Sequence, residues 1–288
     1  LSRGSSGVAY ILFGKPNSTA YLDFATTSFG GVDGVMIYGI SGSQLGSSVS
    51  GAGDVNGDGI DDCMAGAPDY SVSAEERYNG LVVVLFGKRS GWEDIDLLTF
   101  VPSDELGFLI VGRQGSDVLG RCISGAGDVN GDGFADIILG APLAEVTNRP
   151  LAGNSYLIFG HNNVSKSFSN INLSNYSFTT DSGFEIFGES GDRSGSSVSG
   201  GVDLNNDGYS EVIVGSSFKG YAVVIFGHDN TTPFSTIDLG DVSTGSQSWG
   251  FRLTGVSSND AFFSMSASPA GDVNADGIND LAVGCGGM

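Results

Sequence analysis

Asp54-Val-Asn-Gly-Asp-Gly-Ile-Asp-Asp62 is a nine-residue segment with oxygen-bearing side chains at positions 1, 3, 5 and 9 and a glycine at position 6. Calcium takes six to eight oxygen ligands at roughly 2.3–2.6 Å, and glycine permits the tight turn that folds such ligands inward. For a single copy, a surface turn rich in Asp, Asn and Gly is the alternative interpretation. The predicted calcium ligands are Asp54, Asn56, Asp58, the carbonyl of Ile60, and Asp62.

The same ligand spacing occurs three more times, which turn propensity alone explains poorly. An EF-hand would need Glu at position 12, where the first two copies have Ala65 and Leu139 and the last two have valine. Each copy continues into an apolar, strand-like stretch, which favours calcium loops in a β protein. The further predicted ligands are Asp128, Asn130, Asp132, Phe134 and Asp136; Asp203, Asn205, Asp207, Tyr209 and Glu211; and Asp272, Asn274, Asp276, Ile278 and Asp280.

Composition narrows the class of protein. The chain has 288 residues, of which 47 are glycine and only 16% are charged, and its β-branched and aromatic residues fall in short runs, as expected of an all-β fold. A formal charge of −21 argues against nucleic acid as a partner, and four bound Ca²⁺ ions would reduce that charge to −13. Because the chain has no apolar run of 18 residues, we expect no segment that spans a membrane.

The chain repeats a unit of about 70 residues four times. Each unit contains an apolar strand ending in Phe-Gly, a second strand ending in Gly, a small-residue strand, a predicted calcium loop and a strand ending in Gly-Ala-Pro or a relative. The Phe-Gly strands are predicted over 8–14, 81–87, 154–160 and 221–227, and the second strands over 34–39, 107–112, 183–188 and 250–255.

Four strands per unit and no helical periodicity predict an all-β fold, a single β-propeller domain over 1–288 with four blades of four antiparallel strands. The small-residue strand would lie next to the central axis. Closing the ring would place residues 8–13 and 280–285 in one sheet, which leaves no open edge; the alternatives are a larger ring or completion by a neighbouring molecule. The predicted blades are 44–112, 118–188, 194–255, and 263–288 together with 1–39.

Phe-Gly, the nine-residue loop and Gly-Ala-Pro, as at 66–68 and 140–142, resemble the FG-GAP repeats of the integrin alpha-subunit β-propeller over essentially the whole chain. The resemblance implies that the loop joins the first two strands of a blade and binds up to four Ca²⁺ ions in all, through positions 1, 3, 5, 7 and 9. This chain departs from the family in two respects. Glu211 replaces Asp at position 9 of the third loop. The integrin ring has seven blades, whereas this chain has four repeats, so a seven-bladed ring cannot be inferred by analogy.

Three cysteines cannot all pair within one chain. Cys63 follows one calcium loop, and Cys122 lies on the small-residue strand of the next unit. A disulfide between them is sterically conceivable and would leave Cys285 over. Two buried free thiols are the alternative.

Five Asn-x-Ser/Thr triplets fall between the predicted strands, where a glycan could be accommodated. Together with the millimolar calcium outside cells, they favour an extracellular or cell-surface location. The candidate N-glycosylation sites are Asn17, Asn163, Asn172, Asn175 and Asn230.

The sequence contains no recognisable set of catalytic residues, and we expect no enzyme activity. His161 and His228 follow Phe-Gly pairs at positions that Lys15 and Lys88 occupy in the other units, which indicates a variable turn position. Neither a nucleophile elbow nor a His-Glu-x-x-His motif is present. The predicted function is a structural or adhesive module that contacts other proteins or copies of itself, as a receptor head or a repeating subunit of a cell-surface filament. The alternative is an accessory propeller domain of a secreted enzyme.

Overall fold

The computed structural model describes residues 4–15, 33–164, 167–241, 247–255 and 265–285. In these ranges the regular structure is β apart from one short 3₁₀ helix, Leu239–Asp241, which confirms the all-β prediction. The strands are β1 Val8–Leu12, β2 Gly34–Tyr38, β3 Ser48–Gly53, β4 Asp62–Ala67, β5 Leu81–Leu85, β6 Ile95–Asp96, β7 Gly107–Val111, β8 Cys122–Gly127, β9 Asp136–Ala141, β10 Asn154–Ile158, β11 Ile171–Asn172, β12 Gly183–Phe187, β13 Ser194–Val202, β14 Glu211–Ser216, β15 Tyr221–Ile225, β16 Ile237–Asp238, β17 Gly250–Thr254, β18 Met265–Gly271 and β19 Asp280–Cys285.

Three complete four-stranded antiparallel units repeat along the chain: β3-β4-β5-β7, β8-β9-β10-β12 and β13-β14-β15-β17. All residues of the third strand of each unit are buried. Such complete burial suits a strand that other elements cover on both faces. The predicted Phe-Gly strands are thus confirmed, although each ends just before its Phe-Gly pair.

The small-residue strands β3, β8 and β13 lie side by side. Gly125 of β8 packs so closely on β3 that a methyl group added to it would lie 2.8 Å from the carbonyl oxygen of Gly51. Gly200 of β13 has the same relation to Ala126 of β8, because its added methyl group would lie 2.8 Å from the Ala126 Cα. The predicted crowding of the small-residue strands is therefore present in the structure.

A short strand from each unit pairs in parallel with the outer strand of the preceding sheet. β6 pairs with β2, β11 with β7, and β16 with β12. The leucine that follows each short strand is buried: Leu97 is 4% exposed, Leu173 1% and Leu239 0%. This fifth strand, which holds neighbouring sheets together, was not predicted from the sequence.

Four apolar clusters lie between successive sheets. The cluster between the first two complete units includes Phe86, Phe108 and Tyr156, and the next contains Phe159 and Phe184. The core is therefore divided into layers between sheets, as in a propeller-type stack.

The predicted closing sheet is not present among the described strands. β1 pairs with β2 and lies beside the first complete unit, where Gly7 bridges to Leu45. β18 and β19 form a separate two-stranded sheet whose Ala267 and Leu281 pack on the third unit. Each half sheet is thus held by its own neighbour, and among the described strands no hydrogen-bonded ladder joins β1 to β19. The number of blades stays a prediction.

Candidate metal centres

Each of the four acidic loops connects the first two strands of its sheet, at β3–β4, β8–β9, β13–β14 and β18–β19. This is the connection that the resemblance implies. Positions 1 to 8 form the turn in which the chain reverses direction, and position 9 is the first residue of the second strand. The glycine at position 6 has a positive φ in every loop, from 82° to 92°, which few other residues adopt without strain.

One set of hydrogen bonds recurs in all four loops. The N–H of position 5 donates to the position 1 carboxylate at 3.0–3.2 Å and to the position 3 amide oxygen at 2.9–3.0 Å. The N–H of position 6 donates to the second oxygen of position 1, and that of position 7 to the position 5 carboxylate. These bonds fix the side chains at positions 1, 3 and 5 on the inner side of the turn.

The position 9 carboxylate completes the loop from the second strand. Asp62 accepts hydrogen bonds from the N–H groups of Val55 and Gly87, both at 2.8 Å. Burial raises the pKa of Asp62 to about 7, and the charges of Asp58 and Asp54 add to this shift although the two N–H bonds oppose it. A carboxyl held beside two others in this way is stabilised in its charged form by a bound cation.

The second loop repeats this arrangement. Val129 and Gly160 donate to the Asp136 carboxylate at 2.8 and 2.9 Å. Burial and the nearby charges of Asp132 and Asp128 raise the pKa of Asp136 well above its ordinary value.

In the third loop, Asp203, Asp207 and Glu211 each place a carboxylate oxygen within 4.8 Å of the other two. Among the described residues this is the one group of three metal-binding side chains that lies so close. Glu211 is one methylene longer than the aspartates at position 9 elsewhere, so its carboxylate extends further into the loop. Burial raises the pKa of Glu211 to about 7.

The donor set of these loops fits a hard divalent cation. Each loop offers three carboxylates and one amide oxygen, the ligand types that Ca²⁺ prefers. Among the described residues no Lys or Arg forms an ion pair with a loop carboxylate. Clustered carboxylates without a cationic partner are costly to bury, and a bound metal ion would supply the missing charge.

The fourth loop shares the hydrogen-bond frame but is the most exposed. Val273 donates to Asp280 at 2.8 Å, as the residue at position 2 does in the other loops. Asp280 is half-buried, whereas Asp62, Asp136 and Glu211 are buried. The fourth loop belongs to the two-stranded sheet β18–β19, whereas each of the other loops belongs to a unit of four antiparallel strands.

The two histidines have a packing role in the structure. The His161 ring stacks on Phe168 with centroids 3.9 Å apart, and the His228 ring stacks on Phe234 at 3.7 Å. In the first complete unit the Lys88 ammonium lies 4.9 Å from the centre of the Trp92 ring. In these three units the residue after Phe-Gly differs, but its side chain packs in each case against an aromatic ring of the connection that follows.

The structure does not contain the predicted disulfide, because both Cys63 and Cys122 are free. Cys63 packs into the apolar cluster beside β1 and β2. Cys122 faces the other way, and its Sγ accepts the N–H of Val198 in β13 at 3.3 Å. The thiols thus lie in different layers, with the apolar cluster between the first two complete units separating them, and Cys285 lies at the end of the last described strand.

The glycosylation triplets occupy different settings. Asn172, Asn175 and Asn230 are exposed, and Asn172 lies in the short edge strand β11, which the sequence assigned to a connection. Asn163 is half-buried, and its N–H donates to the carbonyl oxygen of Asn56 in the first loop at 3.2 Å. Asn17 lies outside the described residues.

The stacked four-stranded units and their acidic loops define a propeller-type repeat protein that carries candidate metal centres between the first two strands of each unit. The repeats are FG-GAP repeats: this family matches residues 45–85, 123–158 and 194–226. Each match runs from a small-residue strand through the acidic loop to the third strand.

The similar proteins are integrin alpha subunits. The chain is 30% identical to integrin alpha-4 of Xenopus laevis over 203 residues, which cover 68% of this chain and 16% of that protein. It is 31% identical to integrin alpha-IIb of Mus musculus over 228 residues, 74% of this chain and 20% of that protein. The chain thus spans a fifth or less of the length of these relatives. The described part contains no helix with the length and apolar character needed to cross a membrane.

Proposed function

We propose that the chain is a calcium-binding, propeller-type module that acts outside the cell in contacts with other proteins and has no catalytic activity. The observation that carries this proposal is the hydrogen-bond frame shared by four separate loops, which holds the side chains of positions 1, 3 and 5 on the inner side of each turn. In the third loop three carboxylates lie within 4.8 Å of one another. The similarity to integrin alpha subunits supports the interaction role.

In this proposal, positions 1, 3, 5 and 9 of each loop hold Ca²⁺ through side-chain oxygens, and position 7 holds it through its carbonyl. Bound calcium neutralises carboxylates that otherwise repel one another. Because position 9 begins the second strand, the metal would tie the turn to the sheet and stiffen that end of each unit.

Asp62 and its neighbour Asp61 provide a matched test, because both substitutions to Asn remove one negative charge from the same loop. Asp62 is buried and points into the loop, whereas Asp61 is exposed. We expect Asp62→Asn to remove one bound Ca²⁺ in isothermal titration calorimetry and Asp61→Asn to leave the number of ions unchanged. Equal loss of Ca²⁺ binding in both variants would mean that binding depends only on net charge, and it would contradict the assignment of Asp62 as a ligand.

The extracellular location rests on the exposed triplets at Asn172, Asn175 and Asn230 and on the calcium concentration outside cells. Expression through a eukaryotic secretory pathway should yield a protein whose mass falls on treatment with an N-glycosidase. An unchanged mass would remove the glycan support for this location.

We also propose that copies of the chain associate through their half units. β1–β2 provides the third and fourth strands of a unit, and β18–β19 provides the first and second. Beside β1 lies a groove of about 410 Å³, and the apolar side chains Tyr10, Leu12 and Val49 are exposed there. Two strands from another copy would cover this face and extend β1, which would produce a filament.

Light scattering and electron microscopy test this association. Wild type should form assemblies larger than a monomer, and Val49→Asp should reduce them. Val101→Asp changes a side chain that is 70% exposed and lies away from the groove, so it should have no effect. A wild-type chain that is monomeric at every concentration would contradict the filament.

A further inference from the structure

The first two loops are in direct contact through Phe134, the residue at position 7 of the second loop. Its ring lies against Gly57, at position 4 of the first loop, so closely that a methyl group added to Gly57 would be 2.3 Å from the Phe134 Cε1. The next residue, Ala135, donates its N–H to the carbonyl oxygen of Asp54 at 3.0 Å. Asp54 is at position 1 of the first loop, so the contact reaches a proposed metal ligand.

A second route joins the same loops through the Phe-Gly turn. Gly160 donates its N–H to the Asp136 carboxylate of the second loop at 2.9 Å. Its neighbour His161 donates its N–H to the carbonyl oxygen of Val55 in the first loop at 2.9 Å. The N–H groups of two adjacent residues thus donate to the position 9 carboxylate of the second loop and to the backbone of the first loop.

The second and third loops have the same junction. The Tyr209 ring lies over Gly131, where an added methyl group would be 2.3 Å from the Tyr209 Cε1. Ser210 donates its N–H to the carbonyl oxygen of Asp128 at 2.9 Å, and His228 donates to that of Val129 at 3.0 Å.

The third and fourth loops lack this junction. Position 4 of the third loop is Asn206, which carries a side chain where the earlier loops have glycine, and position 7 of the fourth loop is Ile278, which is 37% exposed. In the described parts of both loops, no N–H from Asn279 reaches the carbonyl oxygen of Asp203. The aromatic ring and the glycine therefore occur together at two junctions and are both missing from the third.

We propose that metal binding by the first three loops is positively coupled, with Phe134 and Tyr209 as the positioning residues, and that the fourth loop binds independently. The proposal rests on the proposed calcium function. Each positioning residue would give its carbonyl to the metal of its own loop while its ring fixes the turn of the preceding loop. Ordering one loop therefore lowers the cost of ordering the next, which is the physical basis of positive coupling.

The test uses the whole chain with selected loops disabled. Asp207→Ala and Asp276→Ala together leave the first two loops, and adding Asp58→Ala leaves the second loop alone. Calcium titration calorimetry then gives the dissociation constant of the second loop with the first loop filled and with it disabled. We expect the filled first loop to tighten binding at the second by about fivefold or more, the lower range of measured couplings.

Three variants identify the residue that transmits the coupling. Phe134→Ala should reduce the effect below about twofold, while Phe134→Tyr should preserve it, because Tyr209 fills the equivalent place in the next junction. Leu98→Ala removes a side chain that is 59% exposed and lies outside every loop, and it should preserve the coupling. Should Phe134→Ala not fold, Tyr209→Ala in a chain that retains the second and third loops tests the second junction.

The outcomes separate the coupling from the function on which it rests. Two ions bound with independent affinities in the parent, or full coupling in Phe134→Ala, would overturn the coupling and leave calcium binding intact. Calcium binding by no loop would overturn the proposed function itself. A coupled third and fourth loop would contradict the role given to the aromatic ring.

Discussion

At the scale of single residues, the loops contain an electrostatic conflict. Asp62, Asp136 and Glu211 are buried beside two further carboxylates each, and this burial raises their pKa values. Hydrogen bonds from backbone N–H groups offset part of the cost but add no positive charge. The structure therefore favours either a proton or a cation at each site.

The raised pKa values predict how the metal-free protein responds to pH. Asp62 and Glu211 titrate near pH 7 in the folded chain, whereas unfolded carboxyls titrate near pH 4. Between these values the folded state binds more protons, so stability falls as the pH rises. In excess chelator the melting temperature should decrease from pH 5 to pH 7.5 at constant ionic strength, as measured by calorimetry. A chelated protein that becomes more stable across this window would contradict the assigned burial.

The sequence predicts which residues face into each loop because ligand spacing is a local property. It does not show directly that Phe134 reaches Gly57, since that contact joins residues 77 positions apart in adjacent sheets. A comparison of position 4 in one loop with position 7 in the next would have revealed the pairing. At the first two junctions, position 4 of one loop is glycine and position 7 of the next loop is aromatic. At the third junction these two positions hold Asn206 and Ile278.

At the scale of elements, strand positions were predictable because apolar runs and glycine boundaries repeat in every unit. The short parallel strands were not, because two residues carry too little periodicity to indicate a strand. Their importance is visible in Leu97, which is buried and whose N–H donates to the carbonyl oxygen of Tyr38 in the preceding sheet at 3.0 Å.

Adjacent leucines test whether this short strand stabilises the fold. Leu97 is 4% exposed and Leu98 is 59% exposed. Leu97→Ala should lower the free energy of unfolding by about 2–4 kcal/mol, because it leaves a cavity between two sheets. Leu98→Ala should change it by less than about 0.5 kcal/mol. Urea unfolding of both variants gives the two values, and equal effects would contradict the packing described.

Gly125 of β8 and Gly51 of β3 occupy equivalent places on neighbouring small-residue strands and provide a second matched pair of variants. An added methyl group at Gly125 would meet the Gly51 carbonyl oxygen at 2.8 Å, whereas one at Gly51 meets no atom within 4 Å. Gly125→Ala should therefore destabilise the chain by about 1–3 kcal/mol through overpacking, and Gly51→Ala should have little effect on its unfolding. Strong destabilisation by Gly51→Ala would mean that another strand covers β3 in solution.

At the scale of the whole molecule, the repeat and the stacking of sheets follow from the sequence, but the closing contact does not. Pairing of β1 with β19 was expected because it would satisfy two open edges. In the structure β1 is held beside the first unit and β18–β19 beside the third. Long-range closure depends on the rotation between successive sheets, which no local pattern specifies.

Net charge also acts on the whole molecule. A formal charge of −21 repels itself in the compact state, and four Ca²⁺ ions would remove eight of those charges. Each filled site would add about 2.7 kcal/mol to stability at a hundredfold excess of calcium over its dissociation constant. Sodium chloride at the same ionic strength screens the charges but fills no site, so it should stabilise the fold far less.

The most direct measurement of calcium-dependent folding is a pair of calorimetric melting curves at neutral pH, one in saturating calcium and one in excess chelator, with ionic strength matched by sodium chloride. The chelated protein should melt at a clearly lower temperature, and restoring calcium should recover the original curve. Superimposable curves in calcium and in chelator would contradict the assignment of the four loops as calcium sites that stabilise this fold.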